Sequence, residues 1–165
     1  QGVSIVNDIS GGTEDEQIFR VAAKYSCPLI LMHRQGNLQT MHQEKSYTHL
    51  LTDILDYFTR QIGKATEAGI KDVIVDVGFG FSKTIDQNYS LLKNISVFEQ
   101  LNRPLLAGLS RKSMLYKLLN TTADNALNAT TIVNTIALQN GAAILRVHDV
   151  KEAMECIKIY NQLIK

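Results

Sequence analysis

The sequence predicts an α/β protein built on a parallel sheet. Three observations carry this reading. Short, continuous apolar runs recur five times, amphipathic stretches of helical period lie between and after them, and glycines stand where two of the helices should stop. Continuous rather than alternating apolarity marks strands buried on both faces. A β-α unit repeated five times implies parallel strands joined by right-handed crossovers.

The elements follow in order. The first run is Ser4-Ile5-Val6, and the helix after it opens at Thr13-x-x-Glu16, a capping-box pattern, with Ile18, Val21, Ala22 and Tyr25 as its apolar face. Leu29-Ile30-Leu31-Met32 is the second strand. Its helix carries Leu51, Ile54, Leu55, Phe58, Ile62 and Ala65 and stops near Gly69. Val73-Ile74-Val75 is the third, followed by a helix using Leu91, Ile95 and Phe98. Leu105-Leu106-Ala107 is the fourth. It leads to a short helix over 113–119 and a longer one using Ala129, Ile132, Val133, Ile136 and Ala137, with Gly141 in the C-cap position. Ile144-Leu145 is the last strand, and the final helix uses Ala153, Ile157, Tyr160 and Ile164. All these stripes read as core. No linker, low-complexity tract or second domain interrupts 1–165, so the chain reads as a single domain. Two architectures fit this order: a doubly wound open sheet, or a piece of a (β/α)8 barrel. A whole barrel takes about 250 residues and eight strands, so five strands would be a barrel without its first units.

Composition narrows the class. With 165 residues, 45% hydrophobic and 20% charged, the chain matches one globular domain. A net charge of +1 gives no pull toward nucleic acid or an acidic membrane surface. No apolar run approaches the roughly 20 residues of a membrane span. The N-terminus, Gln1-Gly2-Val3, carries neither an initiator Met nor a signal segment, so the chain reads as processed or cut from something longer. Cys27 and Cys156 are far apart and read as free thiols of a cytoplasmic protein.

Each apolar run ends in polar or ionisable residues. These are Asn7-Asp8, His33, Asp76, Ser110-Arg111-Lys112-Ser113, and Arg146 with His148-Asp149. In parallel α/β folds, ligands bind outside the carboxyl ends of the strands. Each residue also has a structural reading: Asp76 as a turn cap, Arg146 paired with Asp149, His33 as a satisfied core histidine. Together they make a candidate site. Asp76, next to Gly78 and Gly80, can accept two parallel N–H bonds from an aminopyrimidinone edge, and Asn7 offers both a donor and an acceptor. Lys112 supplies a point charge for a ring carbonyl or nitrogen. Arg146 and His148, two apart on one strand, point the same way and suit a phosphate or pyrophosphate. Ser113 and the free N–H groups of its helix favour a carboxylate. The glycine-rich stretch from Asp76 to Lys83 is neither a Walker A loop nor a dinucleotide fingerprint.

Five motifs then occur in order. They are Asn7-Asp8-Ile9, Leu31-Met32-His33-x-Gln35-Gly36-Asn37, Asp76-x-Gly78-Phe79-Gly80-Phe81-x-Lys83, Ser110-Arg111-Lys112-Ser113 and Arg146-Val147-His148-Asp149-Val150. Together they resemble the second half of the dihydropteroate synthase family, over essentially the whole chain. The resemblance implies a partial TIM barrel whose five βα units are the fourth to eighth, the first three being absent. It implies a transferase that condenses hydroxymethyl-dihydropterin pyrophosphate with p-aminobenzoate and releases pyrophosphate. Asn7, Asp76 and Lys112 would hold the pterin. Phe81, Lys112 and Ser113 would border the p-aminobenzoate pocket, and Arg146 with His148 would hold pyrophosphate. Asp76, Lys112, Arg146 and His148 would carry the catalysis. Mg2+ would sit with the pyrophosphate, its main ligand lying outside this chain. Sulfonamides would inhibit the intact enzyme, which would be a homodimer built through its C-terminal helices. The chain departs from the family pattern at Val77 and Leu38, where the family commonly has Pro. The missing front would also hold two mobile loops and a second pterin-binding Asp, so this chain alone is expected to be inactive. A methyltransferase-type pterin barrel is one alternative, but it has no need of the Ser110-to-Ser113 motif or of Arg146 and His148. A non-catalytic pterin-binding fragment is the other.

Overall fold

Short strands, each followed by helix, form a sheet in which the chain order is also the spatial order. The computed structural model describes residues 2–165. Its strands are β1 (Val6–Asp8), β2 (Leu29–Met32), β3 (Val73–Asp76), β4 (Leu105–Ala107) and β5 (Ile144–Leu145), all parallel and ordered β1-β2-β3-β4-β5. The helices are α1 (Gln17–Lys24), α2 (Leu50–Glu67), α3 (Ile85–Lys93), α4 (Ser113–Leu118), α5 (Leu127–Gln139) and α6 (Val150–Leu163), with a 3-10 segment at Ile95–Leu101. A doubly wound sheet reverses its strand order at a switch point. This sheet never reverses, so of the two architectures the sequence allowed, the partial (β/α)8 barrel is the one formed.

Strand register sorts the side chains into two faces. Leu29, Leu31, Val73, Val75, Leu105 and Ala107 lie on the helix side, in a core with Ile54, Phe58, Leu91, Phe98 and Val133. The alternate residues face the other way, toward the barrel interior. Asn7 is level with Ile30, Ile30 with Ile74, Met32 with Asp76, and Asp76 with Leu106. Ile30, Met32 and Leu106 are nonetheless buried. Apolarity on both faces of β2 is why its sequence shows no alternation.

Several local expectations fail for identifiable reasons. β1 begins at Val6 and includes Asn7 and Asp8, leaving Ser4 and Ile5 outside it. The Thr13/Glu16 capping box does not form. Thr13 Oγ1 donates to the carbonyl of Ser10, and α1 starts at Gln17 with no side-chain cap. Starting there, α1 buries Phe19 and Ala22 and leaves Val21 and Tyr25 exposed. The reciprocal capping box instead sits at Thr84 and Gln87, at the head of α3. Leu91 belongs to α3, but Ile95 and Phe98 belong to the 3-10 segment beyond Asn94. Ile132, Ile136 and Ile164 are exposed rather than core; α5 packs through Ala129, Val133 and Ala137 instead. Arg146 and His148 both lie past the end of β5 rather than on it.

Candidate active site

The carboxyl ends of β1, β2, β4 and β5 and the loop after β3 surround a cavity of about 330 Å3. Asn7, Phe81, Lys112, Arg146 and His148 line it, together with Ile9, Met32, Gly108, Ser110 and Val147. Ser113, the first residue of α4, is half-buried and is not among the lining residues.

Asp76 lies beneath the rim, its side chain fully buried because it occupies the barrel-facing row of β3. One carboxylate oxygen, Oδ1, accepts from the Gly78 N–H at 2.9 Å. The other, Oδ2, is 2.7 Å from Arg146 Nη1, in an ion pair that lacks hydrogen-bond alignment. A buried carboxylate is stable only with partners; Arg146 supplies the charge partner of Oδ2, which makes no hydrogen bond. The alternative structural reading, Arg146 paired with Asp149, does not hold. Asp149 is held by Arg111, whose Nε and Nη2 lie 2.9 and 3.0 Å from its two carboxylate oxygens. That fork holds the Asp149 carboxyl below its usual range and ties the β4 loop to the β5 loop. In the same place, Ser110 Oγ is 2.9 Å from His148 Nδ1 and accepts from the His148 N–H at 3.3 Å, which fixes the imidazole at the rim.

The loop after β3 forms the wall opposite. The Phe81 ring is stacked on His42 with centroids 5.2 Å apart, and Lys112 Nζ lies 4.5 Å from its centre. Burial lowers the Lys112 pKa; Arg146 adds to the effect and Asp76 opposes it. Behind Phe81, Ser82 takes a left-handed backbone (φ 54°) and donates its N–H to Met41 O. Its Oγ bonds to Gln35 O at 2.6 Å and accepts from Gln35 N at 3.1 Å, so the β2 and β3 loops are joined. Lys83 turns back under the loop. It is buried, and its pKa is pulled down to about 7, first by burial, with Asp76 opposing and Lys112 adding. His33 is indeed a buried core histidine. Its pKa is held well below the usual value by burial and then by Lys83. The role of Lys83 is missing from the sequence reading because lysine is normally exposed; the only hint is its place at the end of the glycine-rich motif.

Asp8 is a structural residue. Oδ1 accepts from Ser10 N and Oγ, and Oδ2 accepts from Gly12 N. Among the described residues, no group of three or more His, Cys, Asp and Glu side chains could hold a metal ion. No helix among them is long and apolar enough to cross a membrane.

Gly108 gives a direct test of the Arg146 geometry. A Cβ at Gly108 would stand 2.6 Å from Arg146 Nη2, at the mobile end of a flexible side chain. Gly108→Ala is therefore expected to leave the melting temperature within a few degrees and to weaken anion binding at the cavity by about tenfold or more, one charge-assisted contact being worth about 1.5–3 kcal/mol. Anion titration of the folded variant checks this. An unchanged affinity would mean that the guanidinium does not need its observed position.

A family model described as pterin binding enzyme matches residues 1–148. The chain is 40% identical to the dihydropteroate synthase of Escherichia coli K12 over 160 residues, 96% of this chain and 56% of that protein. Its backbone is similar to the dihydropteroate synthase of Yersinia pestis in a sulfonamide complex (TM-score 0.93, 38% identity, 98% of this chain and 59% of that one). It is also similar to that of Thermus thermophilus in complex with 6HMPPP (TM-score 0.94, 28% identity, 99% and 66%). The chain thus spans a little over half the length of the curated relative, 56% of it.

Proposed function

We propose that this chain, which belongs to the pterin-binding enzyme family, is the pterin-, pyrophosphate- and p-aminobenzoate-contacting part of a dihydropteroate synthase. The observation that carries the reading is the fully buried Asp76 carboxylate, one oxygen of which makes no hydrogen bond, ion-paired to the Arg146 of a cavity whose rim also holds Lys112 and His148. A buried carboxylate beside a cavity suits the paired N–H donors of an aminopyrimidinone, and Asn7 and Lys112 complete that edge. The adjacent cations suit the pyrophosphate carried on the same substrate.

In this reading the methylene C–O bond of the pterin substrate breaks and its electron pair leaves with pyrophosphate. Arg146, His148 and Lys112 neutralise the charge that develops there. The arylamine nitrogen of p-aminobenzoate then bonds to the methylene carbon and loses a proton. Phe81, between His42 and Lys112, forms the wall against which the aryl ring lies, and Ser113 at the head of α4 serves its carboxylate. The Asp76 carboxylate orients the ring and stabilises the positive charge the pterin gains as pyrophosphate departs. Mg2+ accompanies the pyrophosphate in the family, but the side chains described here do not form a site for it. Its ligand would come from the first three βα units, which the same reading places before this chain. The exposed Val3, Val21 and Tyr25 at the β1 edge support that placement, because a preceding unit would cover them. The whole enzyme would be a cytoplasmic homodimer inhibited by sulfonamides. The exposed Ile132, Met154 and Ile159 of α5 and α6 are suited to the dimer contact.

The test is dihydropteroate formation by the full-length protein and by residues 1–165 alone. The full-length protein is expected to turn over. The isolated chain is expected to bind a pterin weakly and to show no turnover, since water exclusion and loop closure at such a site depend on segments it lacks. Robust turnover by 1–165 would mean that the catalytic centre is misplaced.

A further inference from the structure

Lys83 is a lysine with no carboxylate in hydrogen-bond reach, yet it is buried. Its Nζ donates to the carbonyls of Gly78 at 3.0 Å and Phe81 at 3.1 Å, and it lies 3.2 Å from His33 Nδ1. An ammonium carries three donors, and these three partners use all of them. Two of the partners belong to the loop that begins just after Asp76 and ends at Lys83 itself, so the side chain closes that loop on its own backbone. The third belongs to the first residue after β2. Burying a charge for stability alone is unfavourable beside an apolar residue of similar size. What these three contacts secure is the path of 78–82, which contains left-handed Gly78, Gly80 and Ser82 and aims the Phe81 ring into the cavity.

We propose that Lys83 is a positioning residue for the second substrate: it holds the loop that presents Phe81, and through Phe81 the cation of Lys112, to the aryl group of an aminobenzoate. The inference rests on the reading of the site given above. Lys83 makes no hydrogen bond to Asn7, Arg146 or His148 and reaches Asp76 only through Gly78, whose N–H is bonded to that carboxylate, whereas it bonds the Phe81 carbonyl directly, so its larger effect falls on the aminobenzoate. The small residues at 78 and 80 serve the same device. A Cβ at Gly80 would be 3.1 Å from Lys112 Cδ, and one at Gly78 would be 3.5 Å from Lys83 Nζ.

The experiment is a double-mutant cycle in the full-length synthase with Lys83→Met, which keeps the length and removes the donors, and Phe81→Ala. KM is measured for each substrate and each variant's melting temperature is recorded. Lys83→Met is expected to raise the KM for p-aminobenzoate about tenfold while that for the pterin pyrophosphate stays within about twofold. In the Phe81→Ala background it is expected to add little, since coupled residues are non-additive. Lys83→Gln keeps two donors at shorter reach and is expected to fall between wild type and Lys83→Met. It also supplies the measurement if the methionine variant does not fold. Equal rises in both KM values, or a full additional loss in the Phe81→Ala background, would overturn the proposal while leaving the site reading intact. A Phe81→Ala variant with unchanged p-aminobenzoate KM would remove both.

Discussion

Gly78→Ala is expected to be among the most destabilising single substitutions in this chain, by more than about 3 kcal/mol. Two causes add. Gly78 has φ 70°, a conformation that costs a residue with a Cβ about 1–2 kcal/mol. The new Cβ would also stand 1.9 Å from the backbone oxygen of His33. That oxygen cannot withdraw cheaply, because the His33 N–H is bonded to Asp76 O at 2.9 Å, which extends the β2–β3 pairing. Relief would require parting the two loops, losing the Gly78 N–H bond to Asp76 and the Lys83 bond to Gly78 O. The contrast is Gly63 in the middle of α2, where a Cβ would meet nothing within 4 Å. There, alanine should stabilise by about 0.5–1 kcal/mol. Urea unfolding of both variants measures the difference. A Gly78→Ala loss below about 1 kcal/mol would mean that the loop is not held as described.

Arg146→Ala should have the largest effect on ligand binding. Pyrophosphate affinity is expected to fall about 10- to 150-fold, equivalent to about 1.5–3 kcal/mol, and affinity for a pterin analogue lacking phosphate by much less. Arg146 is 41% exposed while its partner Asp76 is fully buried. The guanidinium therefore can swing from Asp76 to an arriving anion, whereas Asp76 cannot move to water. Arg146→Lys, with a point charge but no planar fork, should be intermediate. Calorimetry with pyrophosphate and with the analogue separates the roles. Equal losses for both would make Arg146 an anchor for Asp76 and nothing more.

The alternation of apolar runs and amphipathic stretches was sufficient for the parallel sheet. Burial on both faces removes polar residues from a strand, and that loss is visible in one dimension, as β2 and β4 show by matching their predicted residues. The polar residues that close each run were legible for the same reason: in a buried strand, a polar residue is tolerated only at the end. Helix faces were less legible. Val21 and Phe19 are equally apolar, and which one is buried depends on where α1 starts. That start was decided when Asp8 and Ser10 drew the β1 loop into its own hydrogen bonds, leaving Thr13 no role as a cap. Whether the five units belong to an open sheet or a barrel was also undetermined by pattern, because both bury the same apolar runs; the unreversed strand order decided it. The pairing of charges was likewise a matter of tertiary structure. Arg111, Arg146, Asp76 and Asp149 are all visible in the sequence, but an ion pair depends on distance and shared burial. Register puts Asp76 on the barrel-facing side, next to Arg146, and the turn at Arg111 (φ 53°) delivers its fork to Asp149. Lys83 is the extreme case: no one-dimensional pattern marks a lysine for burial, and only the fold supplies the two carbonyls and the imidazole that make its burial tolerable.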